Sequence, residues 1–289
     1  QEIVAELEPV VIQMFKDAAQ EEMEWADYLF KDGSMLGLNA EILKQYMMFL
    51  TNSRMKAIDL EPIFEKTNNL LKLYQNRQYN EAESLVQSLI EISPKSPFAW
   101  NILGAILMKK GRFSEALSVN QTVVELSPKD AESHYNLAIN YEELGRLDEA
   151  EESYRQAIAF SHDYASAYNN LGVILQHLGR LDEAEESYRQ AILFKSDHGN
   201  AHRLLSKIKK FESKDERYLK MQELYLDKIT ADEELCHINF GLAKACEDLG
   251  DFKQAFKHLN EGNTLRKRLI NYDISQDEMG FEQIKTNYQ

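Results

Sequence analysis

The fourteen-residue string GRLDEAEESYRQAI stands at 145–158 and again, unchanged, at 179–192, an offset of 34. Identity at a fixed period means that one supersecondary unit is repeated, and this constrains the fold before any single motif does. The same offset aligns Trp100, His134, Tyr168 and His202; Leu103, Leu137, Leu171 and Leu205; and Gly104, Ala138, Gly172 and Ser206. In the second half of each unit it aligns Gly111, Gly145 and Gly179; Ala82, Ala116, Ala150 and Ala184; and Pro94 with Pro128. Each unit reads as a helix with its apolar face at positions such as Trp100, Leu103 and Leu107, a turn at the glycine, and a second helix. The small residues at 104, 138 and 172 let the two helices approach closely. Asp148 with Glu151, and Asp182 with Glu185, have the spacing of capping boxes at the start of the second helix. No single unit can hide its apolar stripe, so stacking of neighbours must supply the core. The expected fold class is all-α, a helix-turn-helix solenoid.

The units fall at 63–96, 97–130, 131–164 and 165–198. The first is the weakest: it keeps Tyr79, Ala82 and Pro94 but has Asn69 in the leucine column. After 199 the register decays. It is restored over 236–269, with Leu242, Ala243, Gly250 and Ala255 in the leucine, small, glycine and alanine columns. Residues 199–289 therefore read as degenerate repeat-like helices with a C-terminal cap. The columns resemble the tetratricopeptide repeat, whose W-x-x-L-G, mid-repeat Ala and closing Pro are matched by AWNILG at 99–104, Ala116 and Pro128.

That resemblance implies a right-handed solenoid whose inner, concave face binds a protein or an extended peptide. The two positions after the aromatic column would line it: Asn101 and Ile102, Tyr135 and Asn136, Asn169 and Asn170, Arg203 and Leu204. The candidate binding residues are Asn101, Tyr135, Asn136, Asn169, Asn170 and Arg203. Asn136 and Asn170 hold the place at which the O-linked N-acetylglucosamine transferases, a similar superhelical family, carry a peptide-gripping asparagine ladder. An amide suits that role because it both donates to and accepts from a peptide backbone. Ile102 and Leu204 interrupt the ladder, and simple packing or solvation of the same amides is the competing reading. The carboxylate clamp of chaperone-tail binders fits less well, its asparagine position being filled by Ala105, Ile139 and Val173.

Residues 1–62 show no repeat. Val4, Leu7, Val11, Met14, Ala18 and Trp25 fall near heptad spacing and predict one helix over about 2–30. KDGSMLGLN then reads as a loop, and Asn39 as the cap of a second helix carrying Ile42, Leu43, Tyr46, Met47 and Leu50. Two helices alone leave too much apolar surface in water, so this segment needs a partner, either the repeats or a second copy through self-association. The run WADYLFKDGSMLGLN at 25–39, within 22–62, resembles the late helices of the class I ribonucleotide reductase small subunit. The resemblance implies two helices of ferritin-like origin. In that family the dimetal ligands, ending in a D-E-x-x-H motif, lie upstream of this stretch, so the segment is expected to be catalytically silent. A chain that opens on Gln1 within an amphipathic pattern is expected to be part of something longer, with a join near 62–66.

The charges sharpen the exclusions. Lys and Arg total 33 against 48 Asp and Glu, a formal net charge of -15. Such a surface repels phosphate backbones and anionic lipid, so neither nucleic acid nor membrane is an expected partner. Residues 1–62 hold 5 basic and 12 acidic residues, or -7, which leaves -8 for the longer remainder. Cys236 and Cys246 are too few for a disulfide scaffold and read as small core residues in a reducing, cytoplasmic setting. Phosphate-cradling glycine loops and nucleophile elbows are absent from the sequence. Glu234 with His237 is a single Glu-x-x-His pair, and His198 with His202 lacks a spaced third ligand, so both read as structural. The acidic run Glu21, Glu22, Glu24 and Asp27 reads as a solvated helix face. No catalytic residue, metal or cofactor is expected, and the chain is read as a binding scaffold without activity of its own. Two alternatives involve enzymes. One is a reductase small-subunit fragment fused to repeats. The other rests on 242–285, where A-F-x-x-L-x-x-G-N-x-L-R at 255–266 followed by Tyr272 and Asp273 is similar to the region preceding the catalytic domain of tetratricopeptide-repeat sulfotransferases. That similarity implies the substrate-recruiting part of a truncated enzyme.

Overall fold

The computed structural model describes residues 57–227 and 230–271. The two helices expected over 2–30 and after Asn39 lie outside the described residues. The chain divides into two compact units, Gln1–Arg146 and Leu147–Gln289. The described part of the first contains α1 (Ala57–Gln75), α2 (Tyr79–Ile92), α3 (Pro97–Lys109), α4 (Phe113–Leu126) and α5 (Ala131–Glu143). The second contains α6 (Leu147–Phe160), α7 (Ala165–His177), α8 (Leu181–Phe194), α9 (Gly199–Ile208), α10 (Glu216–Leu226), α11 (Asp232–Asp248) and α12 (Phe252–Leu269). The described residues are thus helical with short connections and contain no strand, the all-α class that the repeat demands.

The glycine column ends the first helix of each pair. Gly111, Gly145, Gly179 and Gly250 have φ of +70°, +71°, +77° and +78°, a region that costs a residue with a Cβ about 1 kcal/mol or more. The following N–H groups reach back five residues, Arg112 to the Leu107 carbonyl at 2.9 Å and Arg180 to Leu175 at 2.9 Å, which satisfies carbonyls left over at the helix end. In the weak first unit Arg77 takes this place at φ +58° and its turn closes in the same way, Gln78 N–H to Leu73 at 2.9 Å.

This turn leads straight into the second helix, and that overturns the capping-box reading. α8 begins at Leu181 after Arg180, so Asp182 already sits inside the first turn, and no side chain caps the helix. Asp148 is likewise the second residue of α6. The glutamates pair instead with basic residues: Glu151 with Arg155 at 2.9 Å and Arg180 at 2.7 Å, Glu185 with Arg189 at 2.5 Å. Side-chain caps occur where an aspartate directly precedes a helix, as Asp130 before α5 (Ser133 N–H, 2.8 Å) and Asp215 before α10 (Tyr218 N–H, 3.1 Å).

Close approach is real in both units. A Cβ added to Gly104 would lie 2.3 Å from Oδ1 of Asn120, and one on Gly172 would lie 2.5 Å from Cε1 of Tyr188, each side chain belonging to the paired helix. The core of the first unit is built from Leu70, Val86, Leu89, Phe98, Ile102 and Ile106. Asn69, in the leucine column, is exposed while Leu70 is buried, so α1 is turned by one residue relative to its counterparts. α1 also runs unbroken from Ala57 to Gln75, across the expected join near 62–66. In the second unit Phe211, Tyr218, Met221, Ile238 and Leu242 form a core beneath α10, α11 and α12. Leu242, Ala243 and Ala255 are buried in the columns assigned to them.

The aromatic column has one recurring purpose. Its ring nitrogen donates to a loop carbonyl six residues earlier: Trp100 Nε1 to Pro94 at 2.8 Å, His134 Nε2 to Pro128 at 3.0 Å, His202 Nε2 to Ser196 at 2.9 Å. Tyr168, without such a nitrogen, stacks on Phe194 with ring centroids 5.6 Å apart. Trp and His share this column because both carry a ring N–H at the right reach.

Candidate functional site

The inner-row residues divide between the two units, and each unit arranges its own differently. In the first, Asn101, Tyr135 and Asn136 are all half-buried on α3 and α5, while Ile102 is part of the core. The row is therefore interrupted at Ile102 as its chemistry requires. Beneath it lies a buried amide pair that column reading alone passes over. Asn120 Nδ2 donates to Asn140 Oδ1 at 3.2 Å, and Asn140 Nδ2 donates to the Phe113 carbonyl at 2.9 Å. A long contact of 3.5 Å joins Asn120 Nδ2 to the Asn136 carbonyl as well. The signal is present in the repeat columns: Asn120 stands where Tyr154 and Tyr188 stand, and Asn140 where Ile106 and Ile174 stand. Two polar departures from apolar columns meet in space and satisfy each other.

In the second unit Asn169, Asn170 and Arg203 come together in one chain of hydrogen bonds. Arg203, half-buried on α9, donates to Asn200 Oδ1 at 2.6 Å and 3.2 Å. Asn200 Nδ2 reaches Asn169 Oδ1 at 3.5 Å, Asn169 Nδ2 donates to Asn170 Oδ1 at 3.0 Å, and Asn170 Nδ2 donates to the Tyr154 hydroxyl at 3.3 Å. Asn169 is buried, so its amide orients Asn170 rather than meeting a ligand. Asn200 and Tyr154 are the residues the inner-row rule misses: Asn200 sits one helical turn before Arg203, off the row. Leu204 is buried, as its interruption of the ladder implies.

The electrostatics single out Arg203. Among the described residues no carboxylate pairs with it, and its hydrogen bonds go to a neutral amide. Burial, and then the positive charge of Arg266, pull its guanidinium below the ordinary value. It stays protonated at neutral pH. A desolvated cation beside a second guanidinium is an anion-attracting point on the face lined by α7 and α9.

Glu234, between α9 and α11, accepts from the Gly199 N–H at 2.7 Å and pairs with Lys195. Among the described residues no group of three His, Cys, Asp or Glu side chains is placed to hold a metal ion. Cys236 and Cys246 are buried and unpaired with each other, and burial pushes both thiols up. No helix among the described residues is long and apolar enough to cross a membrane.

Helix pairs with a glycine turn, a close-packed small column and a polar inner row define a helical-repeat scaffold. The repeats are tetratricopeptide repeats. Models of that repeat match residues 73–138, 107–158 and 165–198, and a TPR repeat model matches 140–179. Residues 1–70 match the family described as ribonucleotide reductase, small chain. The beta subunit of ribonucleoside-diphosphate reductase 1 from Salmonella typhimurium is 50% identical over 68 residues, 24% of this chain and 18% of that subunit. The beta subunit from Enterobacteria phage T4 is 38% identical over 58 residues, 20% of this chain and 15% of that one. The chain therefore spans less than a fifth of the length of these relatives. Among solved structures, BtubC (BKLC) from P. vanneervenii has the same fold at a TM-score of 0.50 and 18% identity, with 68% of this chain and 91% of that chain covered. A thermophilic TPR protein from Thermus thermophilus is similar at 0.46 and 22% identity, over 68% of this chain and 97% of that one. The reductase-like stretch reaches residue 70 and the repeat match begins at 73, so the two sequence families meet inside α1.

Proposed function

We propose that the chain is a cytoplasmic protein- or peptide-binding scaffold with no catalysis of its own. In this reading the face of α7 and α9 takes an extended segment that carries a carboxylate. The observation that supports it is Arg203, a half-buried guanidinium whose hydrogen bonds go only to the neutral Asn200. A peptide carboxylate would supply the missing counter-charge, and Asn170, held by Asn169 and Tyr154, would present its amide edge to the peptide backbone. In the first unit Asn101, Tyr135 and Asn136 are the corresponding contacts. The reductase-like segment serves as an apolar docking element, either on the repeats or on a second copy. A role for 242–285 in recruiting substrate to a sulfotransferase domain belongs to the same binding reading.

The test is an array of extended peptides differing only in whether a side-chain carboxylate or its amide is present. Carboxylate peptides should be retained preferentially, and Arg203→Gln should lower their affinity about tenfold, the worth of one charge-assisted hydrogen bond. Asn136→Ala with Asn170→Ala should weaken all peptides while leaving helicity by circular dichroism unchanged. Equal capture of acid and amide peptides removes Arg203 from the account, and unchanged capture by the asparagine variants removes the amides. Two tightly held iron or manganese ions per chain, or sulfuryl transfer by the chain alone, would overturn the scaffold reading.

A further inference from the structure

Two repeat columns break together in the second unit. Counted from the left-handed Gly250 as from Gly179, Asn239 of α11 stands in the ring column of Trp100, His134 and Tyr168. His258 of α12 stands where Ser153 and Ser187 stand. The two departures bond to each other, with His258 Nδ1 2.9 Å from Asn239 Oδ1. Asn239 Nδ2 donates to the Leu235 carbonyl at 3.0 Å, which leaves the amide oxygen for the ring, so Nδ1 carries the hydrogen. Burial holds this imidazole below its ordinary pKa, and at neutral pH Nε2 is therefore a bare acceptor. His258 is only 6% exposed, yet Nε2 makes no hydrogen bond among the described residues.

The free edge of that ring borders a cavity of about 330 Å³. Its walls come from α10, α12 and the connections before them, with Leu242 alone from α11. The sequence accounts for the space. Residues 110–112 join α3 to α4 and 178–180 join α7 to α8, whereas the longer stretch 209–215 joins α9 to α10. α10 then has 11 residues against 14 in α6 and in α8, and so leaves part of α12 uncovered. Tyr225 closes one side, its ring edge-on to His258 at 4.9 Å and its hydroxyl donating to Glu261 at 2.8 Å. Two ammonium groups stand over the tyrosines of the cavity: Lys214 is 5.2 Å from the Tyr218 ring and Lys257 5.5 Å from the Tyr225 ring. No carboxylate pairs with Lys214 among the described residues, and Lys257 has Glu261 only at 3.9 Å. Asp251, the one carboxylate in the lining, is taken up by capping α12 through the Gln254 N–H.

We propose that this cavity binds a small phosphorylated polyol, with the phosphate at Lys214 and Lys257 and a hydroxyl donating to Nε2 of His258. Lysine suits a phosphate as a compact charge with three rotatable donors, and two ammonium groups suit a dianion. A buried acceptor without a donor favours a ligand hydroxyl over an apolar group. The volume lies near the lower end of the roughly 300–1,000 Å³ found for small-molecule sites, which fits a metabolite-sized ligand. The net charge of -15 is screened beyond about 10 Å, so the nearby lysines decide at contact. The cavity lies apart from the row of α7 and α9 that carries Arg203, and the assignment does not rest on the peptide reading.

The test is calorimetric titration of the full chain with α-glycerophosphate, with propyl phosphate, which lacks the hydroxyls, and with glycerol, which lacks the phosphate. α-Glycerophosphate should bind one per chain, propyl phosphate about tenfold more weakly, and glycerol without measurable heat. Lys214→Gln with Lys257→Gln should abolish binding; both side chains are exposed, so the fold is kept. Arg203→Gln should leave it unchanged, which separates this cavity from the peptide row. His258→Gln should bring α-glycerophosphate down to the affinity of propyl phosphate, with hydrogen exchange of α11 and α12 checking that the helices persist. The proposal is overturned if α-glycerophosphate does not bind, if binding survives the double lysine substitution, or if propyl phosphate binds equally well. Equal binding of sulfate also overturns it, because the lysines would then hold an adventitious ion only.

Discussion

Acid should loosen the packing of α9 on α11, and His237 sets the scale. Burial first, then Arg203, draw its pKa from 6.5 down to about 4, with His198 and Arg266 acting in the same direction and Glu234 opposing. Its Nδ1 is buried with no hydrogen-bond partner, so a proton there would gain nothing to bond. The groups facing it are Glu234 on its own helix, His198 and Arg203 from α9 and its cap, and Arg266 from α12; three of the four can be positive. A depressed pKa means that the unfolded chain binds the proton more tightly than the folded one. The stability tied to His237 is therefore complete above pH 6.5 and is lost as pH falls toward 4. For a shift from 6.5 to about 4, the loss between pH 7.5 and pH 5 is at most about 2 kcal/mol, reduced by the water that still reaches this half-buried ring. His198, also lowered by burial, adds to it in the same direction.

The assay is hydrogen exchange of α9 and α11 at pH 7.5 and pH 5.0, expressed as protection relative to intrinsic exchange. The wild-type chain should lose up to about thirtyfold protection there, the equivalent of at most about 2 kcal/mol, while α3 and α4 in the other unit serve as internal references. His237→Gln removes the titration without adding charge, so most of the pH effect should vanish whatever its cost at neutral pH. If the glutamine variant keeps the wild-type pH dependence, burial of His237 is not its source and the reasoning fails.

Three further outcomes follow from the packing. Glu132 on α5 is shifted the opposite way, raised to about 8 by burial and then by Asp130, so its stability contribution is full below pH 4.5 and is lost as pH rises toward 8. Glu132→Gln should stabilise the chain against urea by up to a few kcal/mol at pH 8 and by little at pH 4. Gly172→Ala places a Cβ 2.5 Å from the fully buried Tyr188 ring and should lower urea stability by about 1–3 kcal/mol, whereas a glycine whose added Cβ meets nothing would show no such clash. Asn120→Tyr or Asn140→Ile alone strands a buried amide, but the double variant restores the residues found at 154 and 174; a coupling of about 1 kcal/mol or more should appear in a double-mutant cycle.

The fold is legible in the sequence because a period of 34 fixes helix pairing without knowledge of any contact, and the glycine and small columns carry their reasons in the residues themselves. Where the pattern misleads, it does so locally. D-x-x-E has the spacing of a cap, yet the left-handed glycine starts the second helix two residues earlier and releases Glu151 and Glu185 for pairing between helices. Asn69 looks like a defect in the leucine column, whereas a one-residue turn of α1 places Leu70 in the core instead. The inner row is legible as positions but not as roles. Nothing in the sequence distinguishes buried, orienting Asn169 from Asn170, because burial depends on how α7 meets its neighbours. Asn200 is out of view because a helical neighbour at i-3 is not in the same repeat column.

In a repeat array the shared columns explain stacking, so chemistry peculiar to this chain has to sit where a column is broken. Two such breaks make the contrast. At 120 and 140 the two departures face each other and bond to one another in the interior of the unit. At 203 the row of amides gives way to an arginine that the described residues leave without a carboxylate, an imbalance of charge rather than of hydrogen bonds. What is missing differs between the two, and so does the group that would supply it: another asparagine or an anion. A repeat whose columns were all intact would give no such directions, which is why the degenerate part of this array says more about its contacts than the two units that are identical over fourteen residues.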